Sequence, residues 1–165
     1  MNSTSNFDTS NFHSTQPPLH KPVLTQGSSG EAVIELQKLL KHWQCYFGKV
    51  DGIFGPQTTA AVNCFDYWMF LAEDGIVDEN TWSCLYKGAP VDMPLLQKRS
   101  EGELVEKIQE RLLWSGFFES AITGYFGVVT ENAIKDLQQR TGLVADGIVG
   151  DRTWLELSKI REYSC

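Results

Sequence analysis

A 65-residue pattern occurs twice in this chain without a gap, and this repeat limits the possible folds more than any other feature. Residues 24–88 align with residues 96–160, and twenty-one of the aligned positions are identical. Most identical positions are glycine, apolar or turn residues, which are the residues that set backbone conformation and core packing. A unit copied in this way folds as one supersecondary piece, so the repeat predicts two small tandem domains.

Each repeat is predicted to contain three helices separated by glycine-marked turns. In repeat 1, apolar residues recur at helical spacing over 33–40 and again over 61–65. A short third helix, which carries Trp82, follows the Asp74-Gly75 turn. The predicted fold is all-α, with two tandem three-helix domains that have long loops. The predicted segments are a polar tail at 1–23, repeat 1 at 24–88, a proline-containing linker at 89–95, repeat 2 at 96–160 and a C-terminal tail at 161–165.

The net charge of −7 narrows the classes of partner. Neither repeat carries the basic face that binding to a phosphate backbone requires, so nucleic acid is not an expected partner. No apolar run is long enough to span a bilayer, and residues 1–22 lack the basic start and hydrophobic centre of a signal peptide. These polar residues are predicted to be either a flexible leader or an arm that docks on a partner.

The four cysteines show no spacing typical of a metal site. Cys45 aligns with Phe117, so it is predicted to be buried. Cys64 and Cys84 align with charged residues of repeat 2 and are predicted to be exposed. A disulfide between Cys64 and Cys84 is one possibility.

Several polar residues are predicted to have structural roles. Thr58 and Thr130 lie in the first turn of an apolar helix, where capping is the favoured interpretation. Asp74 and Asp146 precede glycine, which favours a side chain that caps its own turn. The predicted structural caps and core residues are Gln37, Thr58, Asp74, Trp82, Gln109, Thr130, Asp146 and Trp154.

The first loop of each repeat is the better candidate for recognition. Ile53 and Tyr125 occupy the same loop position and differ in chemistry while the flanking residues stay fixed, which indicates an exposed site. Gly52 and Gly55 are both predicted to adopt positive φ. Asp51 either contacts a ligand or caps nearby backbone N–H groups, and the geometry of Asp-Gly turns favours the cap.

The order and spacing of these motifs resemble the peptidoglycan-binding domain 1 family, a three-helix wall-binding module of bacterial and phage hydrolases. The motifs lie at 27–40, 51–58 and 74–85, and again at 102–112, 124–133 and 146–157. The resemblance implies a protein that binds peptidoglycan or muropeptides in shallow grooves beside the first loops. The predicted ligand-binding residues are Tyr46, Asp51, Ile53, Phe54, Phe118, Thr123, Tyr125 and Phe126.

No catalytic motif is recognisable in the sequence. His42 lies on a helix with no second histidine or cysteine at metal-ligand spacing. No serine has the sequence context of a nucleophile elbow. We therefore predict a protein that is not an enzyme and has no catalytic residue, metal or cofactor.

A second class of function stays open at this point. The chain is alternatively a structural or adaptor subunit of a phage tail, an injection apparatus or an envelope assembly. The polar residues 1–22 and the aromatic run at 67–70 are the candidate contacts, although the run is also suited to packing repeat 1 on repeat 2. A wall binder is expected in the cell wall or periplasm by a non-Sec route, and an adaptor in a phage or secretion particle.

Overall fold

The structure is a computed structural model that describes residues 20–161. Within these residues it contains six α-helices and isolated bridges but no β-strand. The prediction of an all-α fold with three helices in each repeat is confirmed. The helices are α1 (Glu31–His42), α2 (Pro56–Trp68), α3 (Glu79–Lys87), α4 (Glu103–Trp114), α5 (Val128–Arg140) and α6 (Asp151–Ser158).

Each repeat has its own apolar core, which is built around a buried tryptophan. Trp82 on α3 and Trp154 on α6 are each 1% exposed. Their indole N–H groups donate hydrogen bonds to the carbonyl oxygens of Pro22 and Pro94, at 2.9 and 2.8 Å. These prolines precede their repeats, so each tryptophan ties the incoming chain to the third helix of the repeat.

The two repeats pack directly on one another through Phe70. This residue follows α2, and its ring lies in the core of repeat 2 at 5.0 Å from the ring of Trp154, edge to face. The aligned residue of repeat 2 is Gly142, so the insertion has no counterpart in the other repeat. An aromatic ring buried in a neighbouring core favours one fixed arrangement of the two units.

A buried arginine completes this interface. Arg111 on α4 is 1% exposed and forms no ion pair within residues 20–161. Its guanidinium donates to the carbonyl oxygens of Leu157 and Ile160, at 3.3 and 3.1 Å, and to that of Tyr67 in repeat 1. It also lies over the rings of Tyr67 and Phe70, at 4.4 and 4.5 Å. Carbonyl dipoles and ring faces thus compensate the buried charge.

The aromatic run at 67–70 therefore packs within the molecule, between the two repeats. Trp68 and Met69 are 5% and 0% exposed, and the guanidinium of Arg161 lies 4.0 Å from the ring of Trp68. Side chains this buried offer no surface to a second protein. The prediction that residues 67–70 bind a protein partner is wrong, and packing of one repeat on the other is the role that the structure shows.

Replacing Phe70 with alanine is expected to uncouple the repeats. Truncation of a buried aromatic side chain costs about 3–5 kcal/mol, and here the lost contacts join two cores. Differential scanning calorimetry should change from one cooperative transition to two. Phe47→Ala is the control, because Phe47 is 83% exposed and should tolerate the same truncation. A single transition at an unchanged temperature in Phe70→Ala would contradict the coupling.

The cysteines differ in part from the predictions. Cys45 is buried, as predicted, at 7% exposure. Cys64 and Cys84 were expected at the surface but are 9% and 0% exposed, because they lie on the packed faces of α2 and α3. Cys64 is disulfide-bonded whereas Cys84 is free, so the two are not bridged to one another, and that possibility from the sequence is excluded. Burial raises the pKa of Cys84 to about 11, so its thiol stays protonated.

Two predicted segments lie largely outside the described residues, namely the N-terminal tail up to residue 19 and the C-terminal residues 162–165. The described end of the N-terminal tail contacts repeat 1, where Lys21 Nζ is 5.7 Å from the ring centroid of Trp82. Among residues 20–161, no helix has both the length and the apolar character needed to cross a bilayer.

Candidate ligand-binding loops

Each repeat contains two turns of the same construction. Segments 51–58, 74–81, 123–130 and 146–153 all begin with Asp or Thr followed by Gly, and all end with Thr. The glycine has φ between 69° and 74° in every segment, which other residues adopt only with strain. The third residue points towards solvent to varying extents, and the fourth is buried in the core. Four turns therefore share one backbone frame.

A buried glutamine holds the first loop of repeat 1. Gln37 on α1 is 0% exposed, and its Oε1 accepts the N–H groups of Asp51 and Gly52, both at 3.0 Å. Its Nε2 donates to the carbonyl oxygen of Ile53 at 3.1 Å and to Thr58 Oγ1 at 3.2 Å. One side chain thus satisfies both donors and acceptors of the loop and fixes its path.

The first loop of repeat 2 is held in the same way by Gln109 on α4. Gln109 Oε1 accepts the N–H groups of Thr123 and Gly124, at 2.9 and 3.0 Å. Gln109 Nε2 donates to the carbonyl oxygen of Tyr125 and to Thr130 Oγ1, both at 3.0 Å. The two first loops are therefore rigid copies of one frame that differ in the side chains they present.

The second turn of repeat 2 uses a third glutamine. Gln138 on α5 accepts the N–H of Gly147 at 2.9 Å. Its Nε2 donates to Asp146 Oδ1 and to the carbonyl oxygen of Ile148, both at 2.9 Å, and to Thr153 Oγ1 at 3.1 Å. The second turn is thus also held by a glutamine, which here accepts one backbone N–H instead of two.

In repeat 1 the equivalent position carries an acid. Asp66 is 0% exposed, its Oδ1 accepts the hydroxyl of Thr81 at 3.3 Å, and its Oδ2 has no hydrogen-bond partner in the described chain. Burial, opposed by the Thr81 bond and assisted by the nearby charges of Asp74, Asp78 and Glu73, raises the pKa of Asp66 to about 8. The carboxyl group is therefore largely protonated near neutral pH.

The threonine hydroxyls do not cap helices, so that part of the prediction for Thr58 and Thr130 is wrong. The N-cap positions of α2 and α5 are Gly55 and Gly127, and neither helix has a side-chain cap. The hydroxyls instead accept from the glutamine amides in the interior. Gly55 also has an extended φ of −97°, so the prediction of positive φ is correct for Gly52 and wrong for Gly55.

The carboxylate of Asp51 caps its own turn. Asp51 Oδ1 accepts the N–H of Ile53 and the amide of Gln37, both at 3.0 Å. These two bonds, led by that from Gln37, hold the pKa of Asp51 below its usual value, so the group is ionised. Asp74 and Asp146 make the same contact to the N–H two residues on, each at 2.9 Å.

The eight predicted ligand-binding residues divide by exposure. An extended backbone alternates its side chains, so the third residue of the loop faces solvent while the fourth enters the core. A ligand outside the protein meets exposed side chains first, so the exposed four are the stronger candidates and the buried four pack in the core. The exposed four are Asp51, Ile53, Thr123 and Tyr125, and the buried four are Tyr46, Phe54, Phe118 and Phe126, each 5% exposed or less.

Repeat 2 also presents apolar residues that the sequence reasoning did not select. Ile122 is 40% exposed, and Val128 and Val129 are each 54% exposed at the start of α5, beside the predicted Tyr125 at 49%. The aligned positions 56 and 57 of repeat 1 hold proline and glutamine. The sequence does hold a signal for these exposed valines. Two adjacent valines at the start of a helix do not fit the spacing of core residues, and repeat 1 has no valine at the aligned positions. The first loop of repeat 2 therefore presents these valines as additional exposed apolar residues where repeat 1 has Pro56 and Gln57.

Comparison with known proteins gives a family and several relatives. The family described as "Putative peptidoglycan binding domain" matches residues 29–85 and 101–157, one segment in each repeat. An N-acetylmuramoyl-L-alanine amidase of Mycobacterium tuberculosis is 35% identical over 106 residues, which cover 61% of this chain and 26% of the amidase. A spore cortex-lytic enzyme of Bacillus cereus is 41% identical over 76 residues, which cover 46% of this chain and 29% of that enzyme.

Among solved structures, the N-terminal domain of SleB is 43% identical with a TM-score of 0.41. The alignment covers 41% of this chain and 93% of that domain. The chain thus spans less than a third of the two enzymes that it matches and nearly the whole of this single domain.

Proposed function

Because the chain belongs to the peptidoglycan-binding domain family through both of its repeats, we propose that it binds peptidoglycan without catalysis, through the exposed surfaces of its first loops. The resemblance drawn from the sequence motifs is thereby confirmed at the level of the family. The observation that carries the proposal is the pair of matched segments, each of which contains one glutamine-held loop. A rigid loop binds without a large entropy loss, which suits a shallow site.

The matched relatives are named as enzymes, but the part of them that resembles this chain is the binding domain. We therefore assign to this chain the binding step and not the hydrolysis. The corresponding location is the cell wall, where the polymer is found. A protein of net charge −7 would be repelled by anionic wall polymers, so the contacts should be aromatic and hydrogen-bonding and should depend weakly on salt.

Two loops in one chain favour retention on a polymer. Each shallow site should bind weakly, but once one repeat is bound the other is held close to further copies of the ligand. Such an effective concentration raises overall affinity by roughly 100-fold or more without any new contact. The Phe70 and Arg111 contacts hold the repeats in one arrangement, so the spacing of the two loops is set by the fold.

The experiment that tests this function is co-sedimentation with sacculi stripped of protein and teichoic acid. The purified chain should pellet with them at low and at high salt, whereas an unrelated acidic protein should stay in solution. Absence of the chain from the pellet at both salt concentrations would overturn the proposal.

Tyr125→Ala is expected to weaken retention on sacculi by about tenfold. The ring is half exposed on a rigid frame, and aromatic contacts of this kind contribute about 1 kcal/mol or more to binding. The melting temperature should change little, because the frame is held by backbone contacts to Gln109. Leu113→Ala is the matched control, since Leu113 is 39% exposed on α4 outside the loop. Equal loss of folding and binding in Tyr125→Ala would argue against a loop site.

A further inference from the structure

A groove separate from the first loop lies beside the second turn of repeat 2. It has a volume of about 490 Å³ and is lined by apolar and charged side chains. Val144 and Leu95 are 81% and 62% exposed on its walls. Arg152 also lines it and makes no ion pair within residues 20–161. The groove thus combines open apolar walls with an arginine that no carboxylate of the described chain pairs.

The floor of the groove is rigid. Gln138 and Thr153 line it, are 2% and 4% exposed, and bond to one another at 3.1 Å. The same glutamine holds the N–H of Gly147 and the carbonyl oxygen of Ile148. A pocket with a fixed floor loses little conformational entropy when it binds a small group.

Repeat 1 differs in charge at the same place. Its second turn carries Glu73, Asp74, Asp78 and Glu79, and the position of Arg152 is held by Asn80. The corresponding residues of repeat 2 are Ala145, Asp146, Gly150, Asp151 and Arg152. Four carboxylates without a cation repel an anion, whereas the repeat 2 turn has two carboxylates and one arginine. The repeat 2 turn is therefore less negative than the repeat 1 turn, and it alone of the two carries an arginine.

We propose that this groove of repeat 2 binds the peptide part of peptidoglycan, with a free peptide carboxylate on Arg152 and a small apolar side chain against Val144 and Leu95. Arginine pairs with carboxylates in a charge-assisted bond that a neutral amide cannot replace. Asp146 and Asp151 at the same groove are suited to an ammonium group, so a short peptide with both charges is the best match. This inference rests on the proposed function and adds a second, peptide-selective site to the loop surface.

The test uses a soluble muramyl pentapeptide that ends in D-Ala-D-Ala, compared with the same compound amidated at its C-terminus. Both are titrated into the full chain labelled with nitrogen-15, and amide shifts are followed by NMR. The free acid should shift the resonances of residues 143–153, and the amide should bind about tenfold more weakly. Shifts confined to residues 122–129, or equal affinity for acid and amide, would overturn the proposal.

Variants locate the carboxylate contact. Arg152→Gln should weaken binding of the free acid about tenfold and abolish the preference for acid over amide. Val144→Ala, which installs the residue that repeat 1 has at position 72, should weaken both compounds equally. Arg140→Gln is the control, because Arg140 is an exposed arginine of the same repeat that stacks on Phe117 outside the groove. Unchanged discrimination in Arg152→Gln would overturn the assignment.

The outcome separates the two proposals. If the chain pellets with sacculi but the pentapeptide leaves residues 143–153 unshifted, the groove assignment fails and peptidoglycan binding through the loops stands. If the chain does not pellet and the pentapeptide also produces no shifts, both proposals fail. Retention of Arg152→Gln on sacculi, together with its loss of acid preference, would support both.

Discussion

Replacing Gln109 with leucine is expected to lower the free energy of unfolding of repeat 2 by about 3 kcal/mol or more. The substitution keeps the side-chain volume but removes the acceptor for the N–H groups of Thr123 and Gly124 and the donor to Tyr125 and Thr130. A buried polar group left without a partner costs about 1–3 kcal/mol. Several such groups are stranded together, so the loop should lose its fixed path.

Urea unfolding followed by circular dichroism measures this loss. Gln139→Leu is the matched control, because Gln139 is exposed on the same repeat and its change to leucine removes no buried contact. Gln109→Glu refines the interpretation, since glutamate keeps acceptors for the loop N–H groups but cannot donate as an ionised group. We expect Gln109→Glu to be destabilised as well, and more strongly as pH rises. A Gln109→Leu variant as stable as Gln139→Leu would show that the glutamine does not hold the loop.

The architecture could be predicted from the sequence because periodicity and repetition reinforce one another. Apolar residues recur at helical spacing in both copies, and Trp82 and Trp154 anchor equivalent third helices. The helical spacing of apolar residues and the positions of the core tryptophans therefore both predict the same three-helix fold in each repeat. The motif match then extends this agreement to the family, which the comparison shows for both repeats.

The site was predicted less well because alternation within a loop is hard to recognise without its backbone. Ile53 and Tyr125 were correctly distinguished as exposed, yet the neighbouring Phe54 and Phe126 were included although they are core residues. A better indicator of which loop residues are buried is the motif shared by four segments, each of which begins with Asp or Thr, continues with Gly and ends with Thr. Once the four are aligned, the apolar fourth residue is seen to be invariant in character, which is typical of a core position.

The contacts between the repeats could not be found by looking for what the copies share. Arg111 aligns with Leu39 and Phe70 aligns with Gly142, so each is a break in the repeat. A residue that one copy needs for its partner has no reason to recur in the other. Positions where an internal repeat fails are therefore where contacts between its units should be sought.

Asp66 is another break in the repeat, and its replacement by glutamine is expected to stabilise the protein. Glutamine at the aligned position 138 satisfies its turn with four hydrogen bonds, whereas Asp66 leaves Oδ2 without a partner in the described chain. At pH 8 the gain in free energy of unfolding should be several kcal/mol, because each unit of pKa shift corresponds to about 1.4 kcal/mol. The large shift of this acid comes mainly from burial.

The pH dependence identifies the cause. The folded-state pKa of Asp66 is raised to about 8 from an ordinary value of 3.8, so folding favours the protonated acid. The contribution of protonated Asp66 to the free energy of unfolding is complete below about pH 4. It falls by up to about 1.4 kcal/mol per pH unit as pH rises towards 8, and above pH 8 it is absent. The difference in stability between Asp66→Gln and the unmodified chain should therefore grow with pH across this window and then level off.

Reciprocal variants in the two repeats make the test specific. Asp66→Asn removes the titrating group and should flatten the same pH window, even if it supports the turn less well than glutamine. Gln138→Asp introduces the acid into repeat 2 and should create there the pH dependence that Asp66→Gln removes from repeat 1. Urea midpoints at pH 5, 6.5 and 8 measure all three. Parallel pH profiles for Asp66→Asn and the unmodified chain would mean that Asp66 is ionised in the folded state, and that a group outside its hydrogen bonds compensates its charge.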